Sequence, residues 1–102
     1  MQPYIIPALV FILIVLPAAA MEAPTLALGE KLFNASELGT NNKSCASCHP
    51  QGQGLKEISA YSDDMLKEMV NFCIRDAMQG KMMDLESTEI NSFLLYLRNL
   101  NK

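Results

Sequence analysis

The chain has 102 residues, half of them hydrophobic, and carries a net charge of −3 at neutral pH. That length holds one small domain, and an acidic balance excludes the broad basic face that nucleic-acid binding needs. With three cysteines and a single histidine, any chemistry that needs two imidazoles in one chain is excluded as well.

The N-terminal stretch differs from the rest. Residues 1–21 contain no charged side chain, residues 4–16 are almost wholly apolar, and Glu22 is the first charge. Ala18-Ala19-Ala20 offers a small-x-small cleavage site, so residues 1–20 read as a secretory signal peptide, here one whose n-region has no Lys or Arg. The other reading is an uncleaved anchor, since a bilayer is spanned by roughly 20 apolar residues. Pro7 and Pro17 interrupt a helix of that length. On both readings the working domain, residues 21–102, is exported to the periplasm or an equivalent compartment. It touches a membrane only if the apolar segment stays attached.

After Pro24, residues 26–33 have helical spacing, with Leu28 and Leu32 four apart and Gly29 and Phe33 four apart. Gly29 costs about 1 kcal/mol of helix propensity against Ala. Either it is a tolerated glycine in a short helix, or another helix must approach there. Residues 39–43 are polar and turn-rich and lead into the next motif.

Cys45-Ala46-Ser47-Cys48-His49 has the Cys-x-x-Cys-His spacing of a c-type haem attachment site. Two cysteines so spaced add to the two haem vinyl groups, and the adjacent histidine donates an imidazole nitrogen to the iron. One covalent haem c held by Cys45, Cys48 and His49 is therefore expected. An exported domain of about 80 residues has a marginal core by itself, and a covalent group would staple it. Pro50, Gly52 and Gly54 make an irregular stretch after the motif, expected to wrap one haem edge.

Ser62 is a good N-cap, with Asp63 and Asp64 in the first turn. Met65, Leu66, Met69, Val70, Cys73 and Ala77 then mark one apolar face, and Gly80 is the expected stop. Ser87 caps a last helix with Glu89 in its first turn and Ile90, Phe93, Leu94, Leu97 and Leu100 on its apolar face. Glu30, Lys31, Lys67, Glu68, Arg75 and Asp76 read as solvated helix faces. Nothing reads as a strand, so the expected fold is all-α, three main helices around one haem.

Opposite His49 the residues alone leave several sulfurs open. Cys73 is the one cysteine the haem motif does not use. It is a thiolate ligand to the iron, a small buried core residue, or half of an intermolecular disulfide. An anionic thiolate stabilises the ferric state, which means a low potential. Zinc held by Cys45, Cys48, His49 and Cys73 is disfavoured because adjacent Cys48 and His49 reach one tetrahedral ion poorly. A thioredoxin-like pair lacks its βαβ setting, and an iron–sulfur cluster lacks a fourth cysteine.

The helix with Gly29-x-x-x-Phe33, the Cys45-x-x-Cys48-His49 motif and a last helix ending Leu95-Tyr96-Leu97 together resemble the class I cytochromes c. The resemblance covers about residues 26–100. It implies a fold in which the first and last helices cross and shield the haem. Asn71-x-Cys73 followed by Met78-x-Gly80-Lys81 resembles a subset of that class. The subset includes the first haem domain of thiosulfate dehydrogenases and the small heterodimeric cytochromes of anaerobic ammonium oxidisers. In it a cysteine at this place is the distal ligand, which implies His49/Cys73 ligation here. The chain departs from the subset in having Met82-Met83 where Leu-Pro is frequent and Glu89-Ile90 where Glu-Met is frequent. Ordinary members place a methionine before the last helix, so Met78, Met82 and Met83 are the alternatives to Cys73, with Lys81 or an open site behind them.

The function these residues imply is single-electron transfer between redox partner proteins, with no catalytic residue. The alternatives are a haem subunit binding NO or CO, and a subunit of a sulfur- or nitrogen-oxidising complex paired with a similar cytochrome chain.

Overall fold

A computed structural model describes residues 3–4, 7–14 and 22–100 of the chain. The expected cleavage point at Ala20 lies outside the described residues. Among those described, no helix is long and apolar enough to cross a membrane. The elements are α1 (Leu26–Asn34), α2 (Cys45–Cys48), α3 (Asp63–Phe72) and α4 (Thr88–Leu100). Two short 3-10 turns, Pro50–Gly52 and Lys56–Ala60, join α2 to α3, and a π turn, Cys73–Ala77, extends α3. No strand occurs among the described residues, so the expected all-α class is what the chain adopts.

Thr25 starts α1, its hydroxyl accepting the Leu28 N–H at 3.1 Å. Gly29 and Phe33 are the buried positions of this helix. They face α4 so closely that a Cβ on Gly29 would strike the Ser92 carbonyl and come within 2.6 Å of the Tyr96 Cβ. The second explanation of Gly29 is thus the right one: a helix crosses there. One turn on, the Phe33 ring packs tilted against Tyr96 with centroids 5.3 Å apart. Ser92 is fully buried and accepts the Thr25 N–H at 3.1 Å, tying the start of α1 to the middle of α4.

Ser62 caps α3 as expected, accepting the Met65 N–H at 3.2 Å. The buried arc of the helix is rotated from the one the apolar spacing suggests. Leu66, Lys67, Val70, Asn71 and Ile74 are buried, while Met65 is 49% exposed. Met65, read as core, is therefore a surface residue. Lys67, read as solvated, lies on the buried arc, where a long aliphatic stem covers apolar surface.

Gly80 closes the helix, its N–H donating to the Ile74 carbonyl at 2.8 Å. That closure is one residue wider than the usual Schellman bond because the last turn is π. The left-handed position is taken by Gln79 (φ 53°) rather than by the glycine.

Ser87 caps α4, accepting the Ile90 N–H at 3.2 Å, and Ile90, Phe93 and Leu97 enter the core. Near its end Arg98 donates to the Ile58 carbonyl at 2.8 Å, the Tyr61 carbonyl at 2.6 Å and the Asp63 carboxylate at 2.9 Å. One guanidinium thereby holds the connection before α3 against α4.

In an isolated helix Gly29→Ala would gain about 1 kcal/mol of propensity. Here the added methyl meets backbone that cannot rotate away, and overpacking of this kind costs about 1–3 kcal/mol. Gly29→Ala should lower the urea midpoint of the protein. A raised midpoint would mean that α1 and α4 do not touch at this point.

Candidate functional site

α2 is a single turn, and its local bonds explain why four residues hold a helical shape. The Ser44 hydroxyl accepts the Ser47 N–H at 3.2 Å, and the Ser47 hydroxyl accepts the Ser44 N–H at 2.9 Å. This reciprocal cap sets Cys45 and Cys48 three residues apart on one side of the turn. His49 follows as the C-cap, its N–H donating to the Cys45 carbonyl at 2.9 Å.

The His49 ring is anchored. Its Nδ1 lies 2.8 Å from the Gln53 carbonyl oxygen. A carbonyl only accepts, so Nδ1 carries the proton and Nε2 is left with the lone pair that binds metals. The chain returns to the ring through left-handed backbone at Gln51 (φ 54°), Gly52 (φ 80°) and Gly54 (φ 84°). A Cβ on Gly54 would sit 3.4 Å from Nδ1, so this turn approaches the imidazole closely.

Cys45, Cys48 and His49 lie on the wall of an apolar cleft whose cavity volume is about 100 Å³. The rest of the wall comes from every main helix: Phe33 of α1, Leu66 and Val70 of α3, Phe93 and Leu97 of α4. Cys73, Met69 and Met78 line the same cleft. The three cysteines are free thiols. Burial, with the neighbouring Cys73 second, pushes Cys45 up to about 11. Cys73 is raised too, by burial first and then by the Asp76 carboxylate and by Cys48.

The methionines divide. Met78 is 2% exposed and belongs to the cleft. Met82 and Met83 lie in a separate depression with Glu68, Asn71 and Phe72. Among the described residues no three His, Cys, Asp or Glu side chains are grouped to hold one metal ion, so the Cys₃His zinc set is not assembled.

Sequence reasoning named the cysteines and the histidine but missed two partners. Ser44-x-x-Ser47 is legible as a reciprocal cap. The Gln53 carbonyl is backbone, and nothing in its residue type announces its role.

Chemically, two thiols on one turn can be alkylated by one rigid ligand with two electrophilic carbons. The Nδ1-anchored imidazole can give Nε2 to a metal which that ligand carries, and the apolar wall suits a flat hydrophobic body. No protein-family model, no curated protein and no solved structure matches the chain.

In the chain before any group is attached, Cys45 should be slow to alkylate. An open thiol reaches its full rate above about pH 8.5, whereas the Cys45 rate should keep rising to about pH 11. The folded chain holds this proton more tightly than the unfolded one, so its contribution to stability is lost as pH rises through that value. Peptide mapping after iodoacetamide treatment checks this, and a Cys45 rate that levels off with an exposed thiol would contradict it.

Proposed function

We propose that the chain is an exported c-type cytochrome of the class I fold that carries one haem and passes single electrons between partner proteins. The observation that supports this most is the meeting of Cys45, Cys48 and the Nδ1-anchored His49 on the wall of one apolar cleft. The crossing of α1 and α4 at Gly29 supports the fold part of the reading.

Cys45 and Cys48 would hold the haem by thioethers, and His49 would bind its iron through Nε2. Cys73 would be the distal ligand, with Met78 on the same wall as the alternative. When bound, the haem supplies the Fe(III)/Fe(II) couple.

The chain's own residues do the rest. Phe33, Leu66, Val70, Phe93 and Leu97 would surround the group with apolar wall, which would limit reorganisation when charge changes. The Gln53 carbonyl fixes the imidazole's orientation and tautomer and increases its basicity as a donor. A Cys73 thiolate would favour the ferric state and lower the potential. Cys48, Cys73 and Ala77 are solvent-exposed parts of the wall, so a redox partner would approach at that edge.

Production of the full chain in a host that exports it and attaches haem tests the reading. A haem-stained band should survive denaturing electrophoresis and vanish in Cys45→Ala/Cys48→Ala. A protein that leaves such a host without haem would overturn the proposal. EPR of the oxidised protein should show a low-spin thiolate signal that Cys73→Ser removes. Carbon monoxide added to the reduced protein separates the carrier from the gas-binding alternative: an unchanged spectrum supports electron transfer, and a prompt shift supports a distal ligand that departs.

A further inference from the structure

α3 uses two opposite faces. Leu66, Val70, Cys73 and Ala77 line the cleft. Glu68, Asn71 and Phe72 point the other way, at about 100° per residue, and line the second depression together with Met82 and Met83.

Asn71 is 5% exposed, and its amide is committed at both ends. Nδ2 donates to the Met83 carbonyl at 2.7 Å, and Oδ1 accepts the Met83 N–H at 2.8 Å. The chain after Met83 is turned at once into α4. The Asp84 carboxylate accepts the Glu86 N–H at 2.7 Å, and the Asp84 carbonyl accepts the Ser87 N–H at 3.0 Å. On the other side Gly80 is tied to Ile74. The segment carrying Met82 and Met83 is therefore short, fastened at both ends, and pinned in the middle to the far face of α3.

We propose that Asn71 is a positioning residue that decides which sulfur the cleft receives. By holding Met83 behind α3 it withholds Met82 and Met83 and leaves Cys73, Met69 and Met78 on the cleft wall. The inference rests on the haem reading above and adds to it the reason why methionines in the loop before the last helix do not serve as ligand. A thioether binds haem iron readily, so a free loop with two adjacent methionines would compete with Cys73. The two-point clamp removes that competition without touching the cleft.

The test uses the haem-loaded full chain. In Asn71→Ala the oxidised protein should gain the long-wavelength methionine-to-iron charge-transfer band. Adding Met82→Leu and Met83→Leu to that variant should remove the band again. Hydrogen exchange of the Met83 amide should speed up in Asn71→Ala, which shows that the clamp has opened. Asn71→Asp keeps the side-chain volume and the acceptor for the Met83 N–H while losing the donor to its carbonyl. It should show a weaker band, and it decides the matter if Asn71→Ala does not fold.

A folded variant with fast Met83 exchange and an unchanged spectrum would overturn the inference while leaving the haem reading intact. A wild-type methionine band removed by Met82→Leu or Met83→Leu would overturn both the inference and the Cys73 assignment. If Met78→Leu removes it instead, the Cys73 assignment alone fails and the clamp stands.

Discussion

The approach of α1 to α4 at Gly29 is the contact on which the rest depends. It brings two backbones together where no Cβ fits. One helical turn beyond it is Phe33, which is both a core residue and part of the cleft wall. From α4, Phe93 and Leu97 have the same double role, as do Leu66 and Val70 from α3 and Met78 just after its π turn. Among the buried apolar residues described, only Ile74 and Ile90 belong to the core without also lining the cleft. A shift at the crossing would move the wall, and anything bound against the wall would be felt at the crossing.

That sharing has an energetic consequence. A small domain buries a modest share of its apolar surface, and here part of what it gathers still lines an open cleft. The peripheral segments are therefore held by directed bonds more than by burial. Arg98 collects two carbonyls and a carboxylate from the connection before α3, and Thr88 donates to the Glu22 carbonyl at 2.6 Å at the start of the domain. Under the proposed function, a rigid apolar group joined at Cys45 and Cys48 would supply the missing half of the core. Its loss would then weaken the whole domain and not one site.

The sequence made the scaffold legible wherever a single residue type has one physical use. Ser62 and Ser87 as caps, and the apolar positions Ile90, Phe93 and Leu97, all appear where spacing puts them. The placing of Cys45, Cys48 and His49 beside one another was legible for the same reason. The illegible features are those that depend on backbone partners or on the angle at which a helix is rolled. Met65 and Lys67 exchanged their expected surroundings because α3 is rolled toward Asn71. Gln79, a residue with no preference for left-handed backbone, took the position that Gly80 seemed made for. Asn71 looks like any polar residue on a helix until the Met83 peptide, 12 residues on, is found between its amide atoms.

The π turn explains how one helix serves both faces. Counted at 3.6 residues per turn, Met78 lies twelve residues from Leu66, about a third of a turn off the cleft face. Seven residues from Asn71, it would share that residue's side. Instead Met78 is buried in the cleft wall. The π turn at Cys73–Ala77 puts one more residue in each hydrogen-bonded ring than an α turn does, so it rewinds the end of the helix and returns Met78 toward the face that bears Cys73. The carbonyls exposed by this rewinding are taken up by the segment that leads into Cys45. Asn41 donates to the Ala77 carbonyl at 2.8 Å, and Thr40 donates to the Met78 carbonyl at 3.0 Å and the Gln79 carbonyl at 2.9 Å. The wall with Cys45 and Cys48 and the wall with Cys73 are thus joined at one end by three hydrogen bonds. In a regular α-helix Met78 would stand beside Asn71, on the face that pins Met83. The widened turn separates the two, so that the sulfurs offered to the cleft and the sulfurs kept from it lie on opposite sides of the same helix.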